Sequence, residues 1–280
     1  MADVLVPDGE PLPVALDRTT TLGVGAHPDD LEFFAITPIA AAFGRDDAWF
    51  TGITCTDGAG SARAGRFAAC TDAEMIAIRR DEQVAAARIG GYSAIVQLGY
   101  SSVMVCDPVE AGRLVDELVD LLDATRPAAV YTHNLADKHS THLAVGAAVV
   151  RAVRRLPTEA RPGRLLGCES WRDLDWMPDH EKVLLDTTGH GALAARLAAV
   201  FESQIEGAKR YDRAAEGRRR ANATMQEPRA LDTSEEVVVA MDLTPLVEDD
   251  DLDPVAYVVG AVDRFRSEVT AALGPLFPGR

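Results

Sequence analysis

The chain reads Gly25-Ala26-His27-Pro28-Asp29-Asp30-Leu31-Glu32 where a short apolar run ends and a helical pattern begins. His27 and Asp30 are three residues apart, and side chains with this spacing share one face of a helix. Both can therefore reach one metal ion, while Asp29 faces elsewhere. Pro28 is expected in the first helical turn, where the missing N–H of proline costs nothing. Taken alone, the stretch is also typical of a capped helix start in which His27 is incidental.

A second stretch of sequence favours a metal site over a simple capped helix start. It runs from Thr132-His133-Asn134 through Asp137 to His139 and His142. His139 and His142 repeat the three-residue spacing at a predicted helix start, and four of the six histidines fall in the two stretches. Histidine and carboxylate side chains are usual zinc ligands, and a catalytic zinc keeps three protein ligands and an open position. The two stretches are therefore predicted to be halves of one metal site.

Short apolar runs alternate with helical patterns through the first two thirds of the chain, which indicates βαβ units. We expect a Rossmann-like α/β fold: a doubly wound, mostly parallel sheet with helices on both faces. Strands are predicted at residues 20–25, 49–54, 94–98, 128–132 and 164–168, with helices at 31–43, 71–89, 108–124 and 142–155. Ligands bind beyond the carboxyl ends of such strands. Polar residues follow these ends, namely the His27 stretch, Asp57, Tyr100-Ser101-Ser102, the His133 stretch and Glu169.

One domain is expected over residues 1–280, with a core at about 19–170 and a less regular extension at 171–280. Residues 1–18 show no period and are expected to form an irregular arm. The extension shows a helical pattern at 192–204, a strand pattern at 236–241 and a final helical pattern at 254–273.

Composition excludes several classes of protein. The formal net charge of −16 argues against nucleic acid and anionic lipid surfaces as partners. No apolar run reaches the roughly 18 residues that a membrane span needs, and no signal peptide is evident. The four cysteines are scattered, which predicts reduced thiols and a cytoplasmic protein. Two basic runs, Lys209-Arg210 and Arg218-Arg219-Arg220, are interpreted as solvated helix surface.

Other chemistries lack their motifs. Gly23 and Gly25 are followed by Pro28 with no third glycine, so the dinucleotide fingerprint is missing. The G-x-S-x-G turn of a serine hydrolase is also missing.

The sequence resembles the PIG-L/LmbE-like family of zinc-dependent N-deacetylases. The specific part of the resemblance is Ala26 to Glu32, and the supporting matches follow in order over about residues 20–150. They are Thr56-Asp57-Gly58, Arg79 with Glu82, Leu98-Gly99-Tyr100, Thr132-His133-Asn134, Asp137 and His139 to His142. One departure is Ser140-Thr141, where the family commonly has Pro-Asp.

The resemblance implies a Rossmann-like fold and hydrolysis of an N-acyl amide, often that of N-acetylglucosamine in a conjugate. It implies that His27, Asp30 and His142 hold zinc, that Asp29 is the general base, and that His139 stabilises the oxyanion or protonates the leaving amine. Asp137 would orient a histidine from outside the ligand set. Substrate contacts are expected from Arg79, Glu82, Asp57 and Tyr100. Three of these residues have a plainer alternative: a solvent-facing helix surface for Arg79, a turn cap for Asp57 and the core for Tyr100.

The sequence thus predicts a metal-dependent amide hydrolase in which water at the metal attacks an N-acetyl amino sugar or its conjugate. Zinc is expected, and other divalent ions fit the same ligand types. Two alternatives remain: an amidase of a thiol-type conjugate, and a non-catalytic metal-containing binding protein. The expected partner is a small molecule, and the sequence leaves a homo-oligomer open.

Overall fold

The structure, a computed structural model, describes residues 2–277 apart from the side chains of residues 207 and 208. The strands within these residues are β1 (Asp3–Leu5), β2 (Thr21–Gly25), β3 (Phe50–Thr56), β4 (Ala94–Tyr100), β5 (Ala129–His133), β6 (Arg164–Cys168), β7 (Lys182–Asp186) and β8 (Val237–Asp242). They form one eight-stranded sheet in the order β1-β4-β3-β2-β5-β6-β8-β7.

The helices lie on both sides of this sheet. They are α1 (Leu12–Asp17), α2 (Asp30–Phe34), α3 (Ile36–Ala42), α4 (Asp72–Gly90), α5 (Ser102–Cys106), α6 (Ala111–Thr125), α7 (Ser140–Arg155), α8 (Gly191–Ala198), α9 (Glu202–Gln204), α10 (Tyr211–Met225), α11 (Pro245–Glu248) and α12 (Pro254–Leu273). A π-helical turn, Ile205–Lys209, follows α9. None of the described helices is both long and apolar enough to cross a membrane.

The middle of the sheet is parallel. Strands β4, β3, β2, β5 and β6 run in one direction, whereas β1 pairs antiparallel with β4 and β8 pairs antiparallel with β6 and β7. The predicted mostly parallel, doubly wound sheet is therefore confirmed. The chain moves outward from β2 through β3 to β4 and then returns to β5 on the other side of β2. The crevice between the carboxyl ends of β2 and β5 is thus the topological switch point, where such folds bind ligands.

Two apolar clusters sandwich the sheet. One contains buried residues of α6 and α7, such as Leu118 and Val149, and the other contains residues of α3, α4 and α8, such as Ile39 and Leu197. Helix α7 lies very close to the sheet at Gly146, where a Cβ atom would lie 2.9 Å from the backbone oxygen of His133. This close packing fixes α7, and with it the predicted ligand His142, against β5.

Two local predictions are wrong. In place of an irregular arm at residues 1–18, the described residues 2–18 contain β1 and α1, and the single helix predicted at 31–43 is divided into α2 and α3 at Ala35. Within residues 171–277 the strand predicted at 236–241 is present as β8, and β7 and α10 add regular structure that the sequence did not indicate, with α10 packed on β8. Helix α4 begins with a capping box formed by Thr71 and Glu74 and ends at Gly91, which has a left-handed conformation.

Candidate metal centre and its cavity

A tight turn brings His27 and Asp30 together. Helix α2 begins at Asp30, so Pro28 precedes it, and the prediction that Pro28 lies in the first helical turn is wrong. The Asp30 amide donates to the His27 carbonyl at 3.3 Å, and the His27 amide donates to Asp30 Oδ2 at 2.7 Å. His27 Nδ1 lies 3.3 Å from the same Oδ2. The three-residue spacing therefore correctly predicted the proximity, although a turn and not a helix face produces it.

His142 completes a triangle with these two residues. It lies in the first turn of α7, fully buried, and its Nε2 is 3.2 Å from His27 Nδ1 and 3.5 Å from Asp30 Oδ1. Zinc–ligand distances of about 2.0–2.1 Å place two ligands of a tetrahedral ion roughly 3.3 Å apart. The three predicted ligand atoms therefore have the spacing that one divalent ion requires.

Two further histidines adjoin this triangle. Ligand atoms of His27, His139 and His142 lie within 4.8 Å of one another, and so do those of Asp30, His133 and His142. The proximity alone leaves five residues as candidate ligands, so the remaining contacts of His133 and His139 must separate them.

His133 is already engaged by the backbone. Its Nε2 accepts the Ala26 amide at 2.9 Å, and its ring stacks on His142 with 3.8 Å between ring centres. Burial lowers the pKa of His133 to about 4, so the ring is neutral at physiological pH. Because the Nε2 lone pair is used, His133 holds β2 against β5 and supports the ring of His142.

His139 faces the cavity at the N-cap of α7. Its ring stacks on His142 with 4.6 Å between centres, and its Nδ1 has no hydrogen-bond partner among the described residues. Burial, followed by the neighbouring His142 and His27, lowers the pKa of His139. A neutral ring with one N–H directed at the cavity can donate a hydrogen bond to a substrate.

Asp137 holds the loop that carries these histidines. Its Oδ1 accepts the His139 amide at 3.0 Å, and its Oδ2 accepts the Trp171 amide at 3.1 Å. The same Oδ2 lies 3.5 Å from His142 Nδ1. Asp137 therefore lies where a carboxylate outside the ligand set can orient His142, as the resemblance implied.

Asp29 lies beside the triangle with unusual backbone geometry. Its φ is 98°, a left-handed conformation that costs free energy in a non-glycine residue and persists where surrounding contacts enforce it. The Asp29 amide donates to Gln83 Oε1 at 3.1 Å, and Arg79 Nη2 donates to Asp29 Oδ2 at 2.8 Å. Burial raises the pKa of Asp29 to about 6, although Arg79 lowers it. A carboxylate with this pKa is well suited to accept a proton near neutral pH.

Arg79 lies in the wall of the cavity, and Glu82 is buried behind it, so neither is on a solvated helix surface. Arg79 is 1% exposed and also donates to the Pro28 carbonyl. Its Nη1 lies 3.1 Å from Glu82 Oε2, and Glu82 accepts both the amide and the hydroxyl of Ser203, each at 2.7 Å. Gly58, with φ of 73°, packs against Arg79, and a Cβ there would lie 3.0 Å from Arg79 Cγ. These contacts tie α4 and the segment after α8 to the turn that carries Asp29.

Asp57 and Tyr100, the other predicted substrate residues, lie outside the cavity lining. Asp57 Oδ1 accepts the Ala59 amide at 2.9 Å, as the turn-cap alternative predicts. Tyr100 is buried among apolar residues of the core, and burial raises its pKa to about 12. Their positions favour structural functions.

The cavity has a volume of about 830 Å³ and reaches from the histidine cluster to α10. Its aromatic wall consists of Phe33, Trp171 and Tyr211, with 5.9 Å between the ring centres of Trp171 and Tyr211. The Trp171 ring lies 6.2 Å from that of His139. The sequence gave no signal that Phe33 and Tyr211 would lie in this wall.

Basic residues from the C-terminal third also line the cavity. Lys209, Arg218 and Arg219 belong to the lining. The interpretation as solvated helix surface is wrong for the buried Arg219 and the half-buried Arg218. It holds for Arg210 and Arg220, which are exposed, and Lys209 is exposed although it lines the cavity. The polar sequence of α10 gives no indication that one side of the helix faces a cavity. Its orientation depends on the packing of α10 against α8 and β8, which are distant segments of the chain.

These features define a class of protein: a Rossmann-like α/β fold with a histidine–aspartate cluster and an adjacent carboxylate at the switch point. Residues 22–153 match the model of the PIG-L family, described as GlcNAc-PI de-N-acetylase. This match confirms the predicted family resemblance over residues 22–153. No curated protein matches the chain in sequence.

Solved structures with the same fold cover most of the chain. N,N'-diacetylchitobiose deacetylase from Pyrococcus horikoshii has a TM-score of 0.65 and 16% identity, over 86% of this chain and 88% of that one. The A40926 pseudoaglycone deacetylase Dbv21 has a TM-score of 0.61 and 16% identity, over 81% and 97%. GalB, the 4-carboxy-2-hydroxymuconate hydratase from Pseudomonas putida, has a TM-score of 0.61 and 19% identity, over 80% and 96%. At these identities the similarity establishes the fold, and the fold is shared by deacetylases and a hydratase.

Proposed function

We propose that this protein is a metal-dependent amide hydrolase that removes the N-acyl group, an acetyl group in the simplest case, from an amino sugar or its conjugate. The observation that carries the proposal is the triangle of His27, Asp30 and His142. His27 and Asp30 lie with Asp29 in the wall of one cavity, and His142 is buried behind them. The match of residues 22–153 to a de-N-acetylase family supports the same reaction.

The three triangle residues would hold the ion through His27 Nδ1, the Asp30 carboxylate and His142 Nε2. Burial works to raise the pKa of Asp30, yet the neighbouring His142 holds it well below its ordinary value, so the carboxylate stays ionised. The donor set of two imidazoles and one carboxylate suits zinc, and other divalent ions as well. When bound, such an ion polarises a carbonyl oxygen and makes water more acidic.

Asp29 is proposed as the general base. Arg79 fixes its Oδ2, and no described residue hydrogen-bonds to its Oδ1, which leaves that oxygen for a water in the cavity. Asp29 accepts a proton as the oxygen of this water bonds to the amide carbonyl carbon. The C–N bond then breaks, the proton moves to the leaving nitrogen, and a carboxylic acid and a free amine are released.

His139 is proposed to stabilise the negative charge that develops on the carbonyl oxygen. Its low pKa favours the neutral ring, which donates a hydrogen bond through its N–H. Of the two functions that the resemblance implied, the structure supports the hydrogen bond to the oxyanion better than delivery of a proton to the amine.

The alternatives differ in chemistry that can be measured. A hydratase of this fold would add water across a carbon–carbon double bond and would release no amine. A thiol-conjugate amidase would prefer cysteinyl amides to N-acetylglucosaminides. A protein that only binds its ligand would have no use for a carboxylate with the contacts of Asp29.

The test is to measure metal content and the release of primary amine from N-acetylglucosamine glycosides and from N-acetylcysteinyl conjugates. We expect about one divalent ion per chain, amine release from the glycosides, loss of activity with a chelator and recovery with zinc. A protein that binds no divalent ion, or one whose metal-loaded form releases amine from neither substrate class, would overturn the proposal.

A further inference from the structure

Two cations that the C-terminal third contributes to the cavity, Lys209 and Arg218, have no carboxylate partner among the described residues. Arg210 pairs with Asp212 at 2.6 Å, Arg219 with Glu236 at 2.8 Å and Arg220 with Glu216 at 2.8 Å. Lys209 and Arg218 lie in the same stretch of chain, yet no carboxylate oxygen among the described residues is within 4.0 Å of either cation. On a chain with a net charge of −16, cations left without carboxylates in a cavity wall require an explanation.

Both cations are held at one place in the wall. Arg218 Nη1 donates to the backbone oxygen of Ser170, and Lys209 Nζ lies 4.9 Å from the centre of the Trp171 ring. Consecutive residues after β6 therefore position the two side chains. The hydrogen bond of Arg218 uses one guanidinium nitrogen, so its other nitrogen atoms remain available to a ligand.

Trp171 connects this pair with the metal centre. Its ring lies 6.2 Å from the His139 ring and in contact with the Lys209 ammonium group. A sugar ring that presents its N-acyl group to the metal centre can pack against Trp171. The group at the far end of that sugar would then lie near Lys209 and Arg218.

No acidic residue of the described cavity lining forms an ion pair with Lys209 or Arg218. Asp29 is paired with Arg79, and Asp30 belongs to the histidine cluster. Burial raises the pKa of Glu169 and the nearby charge of Arg218 opposes this rise. The Glu169 oxygens nevertheless lie more than 4.0 Å from Arg218, and its Oε1 accepts hydrogen bonds from the Val239 amide at 3.2 Å and from the side chain of Asn222. A third cation, Lys138, lies beside His139 in the lining.

We propose that Lys209 and Arg218 form a subsite for an oxyanion, a carboxylate or a phosphate, carried by the substrate beyond its N-acylated sugar. The proposal rests on the proposed function for the identity of the sugar end of the substrate. The subsite itself lies outside residues 22–153, which match the family model, so it is a feature of this chain's own C-terminal part. Charge-assisted hydrogen bonds from arginine recognise such groups with defined geometry.

Two pairs of ligands test the subsite. The first is the N-acetylglucosaminide of glycolate and that of glycolamide, which differ only in a carboxylate against a carboxamide. The second is N-acetylglucosamine 1-phosphate and methyl N-acetylglucosaminide, which tests a phosphate. Affinity is measured by calorimetry on metal-loaded Asp29→Asn protein, and kcat/KM on the unmodified enzyme. We expect the charged member of at least one pair to exceed its neutral counterpart about tenfold or more in affinity and in kcat/KM. This preference should weaken at high salt.

Variants assign the preference to the two residues. Lys209→Gln and Arg218→Gln are each expected to reduce the preference, measured as the affinity or kcat/KM of the charged ligand divided by that of its neutral counterpart. In the double variant this ratio should be near one. Arg218→Lys keeps the positive charge and should retain more of the preference for the charged ligand than Arg218→Gln does. The matched control is Arg220→Gln on the same helix, whose partners, Glu216 at 2.8 Å and Glu236 at 3.7 Å, both lie outside the cavity lining. It should leave both activity and preference unchanged. Should Arg218→Gln fail to fold, the exposed Lys209 still provides the test.

The outcomes separate the subsite from the reaction. Equal affinity for charged and neutral members of both pairs, or a preference that survives in the double variant, would overturn the subsite even if amine is released. Preferential binding of the charged members without release of amine would support the subsite and count against the proposed deacetylase.

Discussion

Arg79 and Asp29 form a buried ion pair in the cavity wall, with 2.8 Å between Arg79 Nη2 and Asp29 Oδ2 and side-chain exposures of 1% and 8%. The pair has two effects on the carboxylate. It fixes one oxygen, so that the other can point to the cavity, and it opposes the rise in pKa that burial causes. The left-handed backbone of Asp29 and the contact of Arg79 with the Pro28 carbonyl hold the same turn in place.

Replacement of Asp29 by asparagine tests the general base. Asparagine tolerates the left-handed backbone and keeps the size of the side chain, but it cannot take a proton. We expect kcat to fall by about 100-fold or more, with metal content unchanged. The control is Asp57→Asn, since Asp57 caps a turn outside the cavity lining and asparagine can cap it equally. Comparable losses in the two variants would argue against Asp29 as the base.

Alanine substitutions at the four cavity histidine and aspartate positions should separate metal ligands from His139. His27→Ala, Asp30→Ala and His142→Ala should each lose most of the bound metal, because each removes one corner of the triangle. His139→Ala should retain the metal and lose roughly 100-fold in kcat. Metal per chain is measured by mass spectrometry and folding by circular dichroism, with the exposed His180 as the control position. If His139→Ala loses as much metal as His142→Ala, the ligand assignment is wrong.

The sequence predicted the core of the fold and the meeting of the two histidine stretches well. Both depend on short-range patterns: apolar runs bounded by turn residues, and polar residues at the strand ends that a parallel sheet brings to one edge. The ligand spacing at His27 and Asp30 was informative even though the local structure is a turn, because turn and helix both bring residues i and i+3 close together.

What the sequence could not predict depends on contacts between distant segments. Arg79 lies on a helix with weak amphipathic character, so its burial follows only from the packing of α4 against the Asp29 turn and Ser203. Similarly, α10 carries mostly polar residues, and nothing in its pattern shows that Arg218 faces the cavity while Arg220 faces solvent. The separation of His133 from the candidate ligands required its hydrogen bond with the Ala26 amide.

Glu82 is expected to support Asp29 through Arg79. In Glu82→Gln an amide replaces the carboxylate that pairs with Arg79 and accepts two hydrogen bonds from Ser203. Breaking a buried pair of this kind destabilises a protein by on the order of 3 kcal/mol. The Arg79 charge is then shared with Asp29 alone, so the pKa of Asp29 should fall and the acid limb of the pH–rate profile should move to lower pH. Asp81→Asn, an exposed position on the same helix, is the control, and an unshifted acid limb in Glu82→Gln would contradict this coupling.

Glu32 should make the protein less stable as the pH rises. Its side chain is 1% exposed, its Oε1 accepts hydrogen bonds from Gln83 at 2.8 Å and Tyr92 at 2.6 Å, and its Oε2 has no partner among the described residues. Burial raises the pKa of Glu32 from 4.5 to about 7. The folded state therefore binds a proton that the unfolded state has already lost between these values.

The stability associated with the protonated Glu32 is fully present below pH 4.5 and is lost as the pH rises through about 7. This loss amounts to about 3 kcal/mol of unfolding free energy. Glu32→Gln keeps the acceptor for Gln83 and Tyr92 without a titrating proton, so the variant should be close to the unmodified protein at pH 5 and more stable at pH 8. Urea unfolding at the two pH values measures the difference, with the exposed Glu159→Gln as the matched control. If the unfolding free energies of the unmodified protein and of Glu32→Gln change with pH in the same way, Glu32 is ionised in the folded state and other contacts compensate its burial.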